Sequence, residues 1–384
     1  MRDADTQTTA ALPIRPPLPD LGGGVRNVLE IANGVGGAMA GMYLAAFGFA
    51  VTRVVAAATG TSPHSLTAAE YADIGPIAQA FLHQGKASRH LDLADEADRS
   101  RLIDLVAHAD LIIEQLDPSQ RRNLGDGYAR AVAARPELVV VTISPFGPTG
   151  PEADWAATEL IVDAAGGWLQ HIGEPGRGPI RPPGHQSEVM GALAAVASGV
   201  ASLIAADRDG HGDTIDVALR ECVTWFQMNP TTVYAYSGSN GHRTGGASDV
   251  NYPQGVFSCA DGLVGINVLY YIEWFRFCDM LARVDWKTDP RLETPLLRYQ
   301  NRAVIDEVLL PWLAAHTAAE IYAAGQAHRL PFGMVNGPVE LLESRQLRSR
   351  GFWRADWTPD GRRLVLPQIP AVYSSATTSQ GGQS

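Results

Sequence analysis

The first 150 residues alternate short apolar runs with amphipathic segments of about ten residues. The apolar runs are rich in Val, Ile and Leu, which is typical of strands buried on both faces. Strands are predicted at residues 25–31, 51–55, 111–114 and 138–143, a short extended segment at 89–93, and helices at 38–47, 96–107 and 127–134. This alternation predicts an α/β fold in which helices cover both faces of a parallel sheet.

Beyond residue 151 the pattern becomes mainly helical. Helices are predicted at 158–167 and 189–206, a strand at 214–217, and a long Gly-, Ser- and Asn-rich loop at 237–251. The segments 255–257 and 263–267 flank an Asp-Gly turn and predict a hairpin. Helices follow from 271 to 327, with a predicted core that includes Leu281, Leu309, Trp312 and Ile321. The change of pattern indicates a second domain.

The composition narrows the function classes. A length of 384 residues favours two domains, and the formal net charge is −11, with only two lysines, Lys86 and Lys287. An acidic chain without a basic stripe is a poor partner for nucleic acid or an anionic membrane. The three cysteines are widely spaced and stand in no Cys/His cluster, so neither a disulfide framework nor a metal site is predicted.

Two uncharged runs, residues 34–51 and 189–206, are long enough to be tested as membrane spans. Both consist largely of Gly, Ala and Ser, and charged residues such as Arg53 and Asp207 follow at once, so they predict closely packed buried helices. The N-terminus has no apolar signal region. The sequence therefore predicts a soluble, cytoplasmic protein.

A glycine-rich turn follows the first predicted strand and reads N-G-V-G-G-A-M-A-G over residues 33–41. A dinucleotide fingerprint requires a third glycine where this chain has Met39, and an acidic residue after the second strand, which is absent. Lys86 lacks the upstream glycine of a phosphate loop, and no Ser stands in a G-x-S-x-G turn. Single histidines such as His171 and His185 are interpreted as surface or satisfied residues. Dehydrogenase, kinase and hydrolase sites are thus not predicted.

Six segments, in the same order along the chain, resemble those of a family III CoA-transferase. Residues 81–93, F-L-H-Q-G-K-A-S-R-H-L-D-L, resemble the family's lysine-bearing segment that ends in L-D-L. Residues 143–151, I-S-P-F-G-P-T-G-P, are similar to I-S-G-F-G-x-T-G-P. The other segments are 28–55, 109–125, 210–217 and 331–352. The superfamily includes formyl-CoA and carnitine CoA-transferases and α-methylacyl-CoA racemase.

The resemblance implies an interlocked, ring-like dimer. It implies a Rossmann-like large domain that binds no dinucleotide, a smaller α+β domain, and a return of the chain to the large domain. The expected boundaries are a flexible leader at 1–24, the large domain at 25–228, the small domain at 229–330, the return at 331–374 and a disordered tail at 375–384. CoA and acyl-CoA are implied as substrates that lie between the domains, with no permanently bound cofactor.

The family's nucleophilic aspartate aligns with Glu188, at the start of an Ala- and Gly-rich helix. In the family this aspartate opens an acyl-CoA thioester and forms an acyl–enzyme mixed anhydride. A carboxylate can do so because thiolate is a good leaving group, and amides at a helix N-terminus keep the carboxylate ionised. Glu is also an ordinary helix-stabilising residue at this position, and it is one methylene longer than Asp. Gln186 and Ser187 are candidates to position it, and the glycines of residues 146–150 are candidate oxyanion donors.

The resemblance places CoA contacts in four of these segments, 28–55, 81–93, 109–125 and 143–151: Val35, Gly36, Arg53, Leu82, Lys86, Glu114, Gln115, Leu116, Arg122, Phe146 and Gly147. Several positions depart from the family. Ala87 follows Lys86 where the family has an arginine, Asn123 replaces a loop arginine, and Gln115-Leu116 replaces an asparagine–aromatic pair. The positive charge available for the CoA phosphates is then that of Arg53, Lys86, Arg121 and Arg122.

Three activities remain open at this point. The leading hypothesis is a homodimeric acyl-CoA:carboxylate CoA-transferase that uses Glu188 and a small carboxylic acid acceptor. An alternative is a non-catalytic subunit that pairs with an Asp-bearing homologue. The racemase branch uses a His/Asp pair, but Thr158 stands where the histidine would be, so only a single-base route through Glu159 or Glu188 is open. The sequence specifies neither the acyl group nor the acceptor acid.

Overall fold

Six parallel strands form the central sheet of the first structural unit. The computed structural model describes residues 25–56, 80–93, 95–228, 230–357 and 363–372, so the predicted leader and tail lie outside the described residues. The strands are β1 (Asn27–Ala32), β2 (Ala50–Ala56), β3 (Ala87–Leu91), β4 (Leu111–Gln115), β5 (Val139–Ser144) and β6 (Thr214–Ala218). Their order, β3-β2-β1-β4-β5-β6, is that of a doubly wound Rossmann sheet. The predicted α/β class is confirmed.

Helices cover both faces of this sheet. The helices of the first unit are α1 (Val35–Ala46), α2 (Glu96–Ala107), α3 (Pro118–Asn123), α4 (Gly125–Ala133), α5 (Glu159–Ala165), α6 (Gln186–Asp209), α7 (Leu219–Phe226), α8 (Pro230–Ser237) and, near the end of the chain, α14 (Arg345–Ser349). The antiparallel pair β10 (Trp353–Trp357) and β11 (Arg363–Pro367) follows α14. Neither α7 nor α8 was predicted.

Alternate residues of the strands point to opposite faces, which produces two apolar clusters. In β1, Val28 packs with Leu44 of α1 and with residues of α6, whereas the next residue, Leu29, packs with Leu102 of α2 and Tyr128 of α4. A strand that is buried on both faces must be apolar at nearly every position. This explains the continuous Val, Ile and Leu runs in the sequence.

Helix α6 is the one helix in the described part of the chain that is long and apolar enough to cross a bilayer, judged by length and composition alone. In this structure its small residues allow close packing. A Cβ atom on Gly191 would lie 2.3 Å from Leu219 Cδ2, and one on Gly199 would lie 3.3 Å from Val141 Cγ2. The helix begins at Gln186, three residues before the predicted start, and this places Glu188 within its first turn.

The second unit comprises residues 169–180 and 240–344. Strands β7 (Gln254–Ser258), β8 (Leu263–Asn267) and β9 (Phe332–Met334) form an antiparallel sheet, so the predicted hairpin is confirmed. The helices are α9 (Tyr271–Met280), α10 (Pro295–Gln300), α11 (Arg302–Ala315), α12 (Ala318–Ala327) and α13 (Pro338–Glu343). Of the predicted core residues, Leu281, Leu309 and Ile321 are buried, and Trp312 packs against their cluster.

The units divide at residues other than those predicted. Helix α8 stays with the first unit, whose middle part ends at Ser239 rather than at residue 228. Strand β9 stays with the second unit because it pairs with β8, so the chain returns to the first unit at Arg345 rather than at residue 331. Residues 169–180 also belong to the second unit, where the Gly245 N–H donates to the carbonyl of Gly173 over 3.0 Å.

Candidate active site

Glu188 is the third residue of α6, and its carboxylate is directed at the start of α1. Its Oε2 accepts hydrogen bonds from the Gly36 backbone N–H and from Gln115 Nε2, both over 2.8 Å. The same Gln115 side chain accepts a 2.7 Å bond from the Gly37 N–H through Oε1. The carboxylate therefore lies between the N-termini of two helices, where unpaired amides and the helix dipoles favour negative charge.

Small residues make this approach possible. A Cβ atom on Gly36 would lie 2.7 Å from Glu188 Oε2, and one on Gly34 would lie 2.2 Å from the Gln115 side chain. Contacts this short are not tolerated without movement of the neighbouring group. In this structure the glycines that resemble a dinucleotide fingerprint thus allow a protein carboxylate and a carboxamide to approach the start of α1.

The groups around Glu188 shift the pKa of its carboxyl group in opposite directions. Burial is the largest influence and raises the pKa of its carboxyl group above the ordinary value. The hydrogen bonds from Gln115 and Gly36 and the positive charge of His185 act against this rise, while the negative charge of Glu159 adds to it. Perturbed carboxyl groups of this kind are typical of functional sites, and a raised pKa leaves the ionised form more nucleophilic.

A second carboxylate, that of Glu159 in the first turn of α5, holds the segment that leads into α6. Glu159 Oε2 accepts from Arg181 Nη2 over 2.7 Å and from His185 Nδ1 over 3.0 Å, and Oε1 accepts from Ser187 Oγ over 3.3 Å. We refer to Glu159, Arg181, His185 and Ser187 as the Glu159 cluster. Ser187 therefore bonds to Glu159, and Gln186 bonds to the Pro183 carbonyl. These two residues were expected to position Glu188, but their side chains bond to other groups.

Lys86 forms a buried ion pair with Glu30 of β1. Their charged atoms are 2.6 Å apart, and the two side chains are 0% and 1% exposed. Lys86 Nζ also donates to the Ala38 carbonyl of α1 over 2.5 Å, and a Cβ atom on Gly41 would lie only 1.8 Å from Glu30 Oε2. Burial lowers the pKa of Lys86 and raises that of Glu30. The ammonium predicted to contact CoA is thus engaged inside the protein.

Arg53 and His83 are close neighbours of this ion pair. Arg53, half-buried in β2, favours the ionised form of Glu30 and opposes protonation of His83. Both ring nitrogens of His83 are buried and find no hydrogen-bond partner among the described residues. Burial, with the charges of Arg53 and Lys86, lowers the pKa of His83 to about 3, so the imidazole is neutral.

Glu114 precedes Gln115 in β4 and is also buried. It accepts a short hydrogen bond from the Tyr128 hydroxyl and a 3.4 Å bond from Thr142 Oγ1, and it forms an ion pair with Arg121, whose Nε is 3.4 Å away. Burial and the Glu114 charge raise the pKa of Tyr128, which stays protonated. The partners of the Glu114 carboxylate, namely Tyr128, Thr142 and Arg121, therefore all belong to the first unit.

A cavity of about 260 Å³ lies beside the carboxyl ends of β4 and β5, where ligands commonly bind in sheets of this type. Three of the predicted contacts, Leu116, Arg122 and Gly147, line it together with Asp117, Pro118, Arg121, Thr142, Ser144, Pro145, Pro148, Ala153 and Asp154. The Gly147 N–H, a candidate oxyanion donor, already donates to Ser144 Oγ over 3.0 Å.

The remaining predicted contacts are apolar. Val35 and Leu82 pack together with Ala38 in a small buried cluster at the start of α1. Phe146 packs against the main apolar cluster and lies edge-on to Trp155, with ring centroids 6.4 Å apart. The structure therefore brings Gly36 and Gln115 to Glu188, groups three others at the cavity, and places Lys86 in the interior.

The Glu159 cluster was not predicted as a unit: Glu159 was considered only as a base and Ser187 only as a partner of Glu188, while Arg181 and His185 were given no role in the site. Glu159 and His185 are 26 residues apart, and neither stands in a recognisable motif. The available signal was the Gly184-His185 pair immediately before a helix, which is compatible with a left-handed backbone. The described residues contain no group of three or more His, Cys, Asp or Glu side chains placed to bind a metal ion. The arrangement is suited to nucleophilic attack by a carboxylate on an activated acyl group.

Comparison with known proteins finds relatives along almost the whole chain. The model of CoA-transferase family III matches residues 24–382. The chain is 28% identical over 366 residues to a succinate–glutarate CoA-transferase of Agrobacterium fabrum, covering 94% of this chain and 90% of that protein. It is 26% identical over 352 residues to a succinyl-CoA–D-citramalate CoA-transferase of Chloroflexus aurantiacus, covering 90% and 87%.

Solved structures show the same fold. A CAIB/BAIF family protein from Brucella suis matches with a TM-score of 0.76 at 25% identity, covering 96% of this chain and 94% of that one. Rv3272 from Mycobacterium tuberculosis matches with a TM-score of 0.74 at 22% identity, covering 91% and 92%. The second likeness concerns the fold alone.

Proposed function

Because the chain belongs to CoA-transferase family III, and is therefore a CoA-transferase, we propose that Glu188 carries the acyl group between CoA and an acceptor acid. One observation supports this assignment above the others. The Glu188 carboxylate accepts hydrogen bonds from Gly36 and Gln115 at the start of α1, instead of capping its own helix or pairing with a lysine or arginine of the described residues. A carboxylate held only by neutral donors keeps its electron pair available for attack.

The proposed reaction consists of acyl exchanges that need no net proton transfer. A Glu188 oxygen attacks the thioester carbon and the C–S bond breaks. CoA departs as a thiolate, and the acyl group stays on Glu188 as a mixed anhydride. The thiolate then attacks the Glu188 carbonyl, which releases the donor acid and leaves CoA as a thioester on Glu188. The acceptor carboxylate displaces this thiolate to form a second anhydride. Attack of the thiolate on the acceptor acyl carbon finally releases the new acyl-CoA and frees Glu188.

The donors around Glu188 are suited to these steps. Gly36 N–H and Gln115 Nε2 lie at hydrogen-bond distance from the carboxylate, and negative charge develops on carboxyl oxygens in each addition. Donors that are fixed beforehand need no reorganisation when that charge appears. Gly37 holds the Gln115 carboxamide through its oxygen, so the amide nitrogen is directed at Glu188.

We propose that CoA uses the cavity beside β4 and β5 together with the apolar pair Val35 and Leu82. Arg122 and the neighbouring Arg121 are exposed and supply positive charge there, and Arg53 supplies more beside β2. The predicted contact with Lys86 remains a prediction, since its ammonium is held by Glu30. CoA is a substrate in this scheme, and no permanently bound cofactor takes part.

Dicarboxylic acids are the proposed substrate class. The relatives from Agrobacterium fabrum and Chloroflexus aurantiacus are named for succinate, glutarate and citramalate, and a relative from Acetobacter aceti is named for oxalate. Succinyl-CoA is therefore the first donor to test, with glutarate and oxalate as acceptors. The proposed setting is the cytoplasm.

We propose a homodimer, interlocked as in the family. Large apolar side chains of α7 and α8 and the short segment between them are exposed, with Trp225 at 76% and Tyr236 at 94%. Aromatic surfaces of this kind are typical of subunit interfaces.

A second candidate is a non-catalytic subunit of a heteromer. Relatives from Thauera aromatica and Chloroflexus aurantiacus are named as subunits, BbsE and an alpha subunit. The racemase alternative gains no support, because Thr158, at the N-cap of α5, stands where that branch has its histidine.

The purified chain tests the proposed function. We expect it to move CoA from succinyl-CoA to glutarate or oxalate, followed by mass spectrometry of the CoA products. Glu188→Gln should abolish the exchange without changing the circular dichroism spectrum. Activity that appears only with a co-purified homologue, and that survives Glu188→Gln in this chain, would support the non-catalytic subunit instead.

A further inference from the structure

A single carboxylate fixes the seven-residue segment that leads to the proposed nucleophile. Glu159 of α5 accepts hydrogen bonds from the first, fifth and seventh residues of the segment 181–187, namely Arg181, His185 and Ser187. The Arg181 and His185 donors share one oxygen, Oε2, at 2.7 and 3.0 Å, while Ser187 uses Oε1. Glu188 is the next residue, so its backbone position depends directly on these contacts.

The backbone of this segment requires such support. Gly184 has φ +80°, and His185, the N-cap of α6, has φ 52° and ψ 43°. A left-handed conformation is uncommon for a residue other than glycine and persists when surrounding contacts hold it. No side chain caps the start of α6, so capping does not fix its first turn. The bond from His185 to Glu159 is the contact that holds the strained residue itself.

From this geometry we propose that His185, held by Glu159, is a positioning residue that fixes the first turn of α6 and directs the Glu188 carboxylate at Gly36. The proposal deepens the proposed acyl transfer and rests on it. His185 takes no part in bond making. Its ring donates to Glu159 through Nδ1 and, when protonated, also places a positive charge beside Glu188, so a loss of that proton weakens both effects.

The charges that face this histidine come from three elements. Glu159 of α5 is the direct partner, with Asp163 one turn further along α5, Arg181 lies in the same segment, and Glu188 lies on α6. The Glu159 bond raises the pKa of His185, burial and Arg181 oppose the rise, and Glu188 adds to it. Burial raises the pKa of Glu159, but its bonds to His185 and Arg181 outweigh this and keep it below the ordinary value.

Two substitutions at His185 separate the side-chain bond from its charge. Asn and Gly both tolerate the left-handed backbone, so His185→Asn keeps a neutral donor and His185→Gly removes it. The exposed His211, which bonds the Asp209 carbonyl, provides the matched control His211→Asn. All variants are compared with the wild-type chain in CoA exchange between succinyl-CoA and glutarate over a range of pH.

We expect the wild-type kcat to fall at low pH as Glu188 is protonated and at high pH as His185 loses its proton. In His185→Asn the alkaline limb should disappear and the acidic limb should move to higher pH, because the charge that favours ionised Glu188 is gone. His185→Gly should lower kcat roughly a hundredfold, as expected for a displacement near 1 Å, with KM for succinyl-CoA within about twofold. His211→Asn should leave the profile unchanged.

A readout that needs no turnover accompanies the kinetics. A water-soluble carbodiimide modifies protonated carboxyl groups, and peptide mass spectrometry reports labelling of Glu188 in the substrate-free protein at each pH. We expect labelling of Glu188 to persist to higher pH in His185→Asn than in the wild type. Unchanged labelling together with an unchanged pH profile would overturn the positioning role. Suppose instead that the wild-type chain exchanges no CoA, while Glu188 labelling still persists to higher pH in His185→Asn. That result would overturn the proposed function and leave the positioning role standing.

Discussion

Gln115 and Glu188 are 73 residues apart in the chain, yet a 2.8 Å hydrogen bond joins Gln115 Nε2 to Glu188 Oε2. Gln115 is the last residue of β4, and Glu188 lies in the first turn of α6. The bond therefore connects the sheet to the helix. The opposite atom of the same carboxamide is held by Gly37 of α1. Three elements of the fold therefore fix one carboxylate, and the following predictions test that arrangement.

Replacement of Gln115 by methionine removes the donor and keeps the approximate volume. Because the bond from Gln115 favours the ionised form, the pKa of Glu188 should rise further, and the acidic limb of the kcat/KM profile should move to higher pH. The pH dependence of CoA exchange measures this shift. A profile that coincides with that of the wild type would show that Gln115 does not act on the reacting carboxylate.

Gly36→Ala places a methyl group 2.7 Å from the present position of Glu188 Oε2. The carboxylate must move, and we expect kcat to fall roughly a hundredfold, the effect of a displacement near 1 Å. The added Cβ atom would also lie 3.2 Å from the Glu188 carbonyl oxygen, so the melting temperature should fall, although alanine is the better helix former. Gly178→Ala is the control, since nothing lies within 4 Å of a Cβ atom there, and its kcat should not change. Equal losses in both variants would contradict the account.

Lys86→Met leaves the Glu30 carboxylate buried without its partner. Loss of one member of a buried pair costs about 3–5 kcal/mol, so the free energy of unfolding should drop by that order. The double variant Glu30→Gln/Lys86→Met should recover most of it, as measured by denaturant unfolding. The double variant also tests the predicted CoA contact. A KM for succinyl-CoA like that of the wild type assigns Lys86 a structural role, and an increase beyond tenfold assigns it to CoA binding.

Glu188→Asp distinguishes a site adapted to glutamate from a chain that has lost its activity. The shorter side chain cannot keep its bonds to Gly36 and Gln115 without backbone movement, so we expect a loss of exchange of about a hundredfold. A non-catalytic subunit would show the reverse: the wild type would be inactive, and Glu188→Asp would gain CoA exchange. Steady-state kinetics of the two proteins, prepared in parallel, decide between these results.

The His185–Glu159 pair predicts a pH-dependent contribution to stability. The folded-state pKa of His185 is raised above its unfolded value, so the stabilisation is fully present below the unfolded pKa and is lost as pH rises through the folded pKa. The difference in free energy of unfolding between wild type and His185→Asn should therefore shrink as the solution becomes alkaline. A difference that is independent of pH would show that the pair carries no charge–charge interaction.

The arrangement of the first unit followed from its sequence because local signals and packing agree there. Apolar runs predicted strands at β1, β2, β4, β5 and β6, a predicted extended segment at 89–93 overlaps the largely polar β3, and the Gly and Ala content of α6 predicted its close packing. The unit boundaries were less accessible. Strand β9 has three residues and joins the second unit only through pairing with β8, a long-range contact that no local pattern reveals.

The candidate site was predicted only in part, again because its contacts join residues that are far apart in the sequence. Glu188 was identified by alignment, whereas its actual donors were assigned to CoA binding, because a sequence does not show that Gly36 and Gln115 reach a protein carboxylate. Ser187 was expected to support Glu188 but bonds Glu159. The role of His185 depends on a left-handed backbone and on a partner 26 residues away, and neither is visible in residue spacing.

Trapping of the mixed anhydride tests the central claim most directly. Hydroxylamine attacks an anhydride at the Glu188 carbonyl, releases the donor acid and leaves a stable hydroxamate on the protein. We predict that incubation with succinyl-CoA and hydroxylamine inactivates the enzyme and that peptide mass spectrometry locates the hydroxamate on Glu188. Neither reagent alone should produce it. Continued turnover in the presence of both reagents, with Glu188 unmodified, would contradict the account.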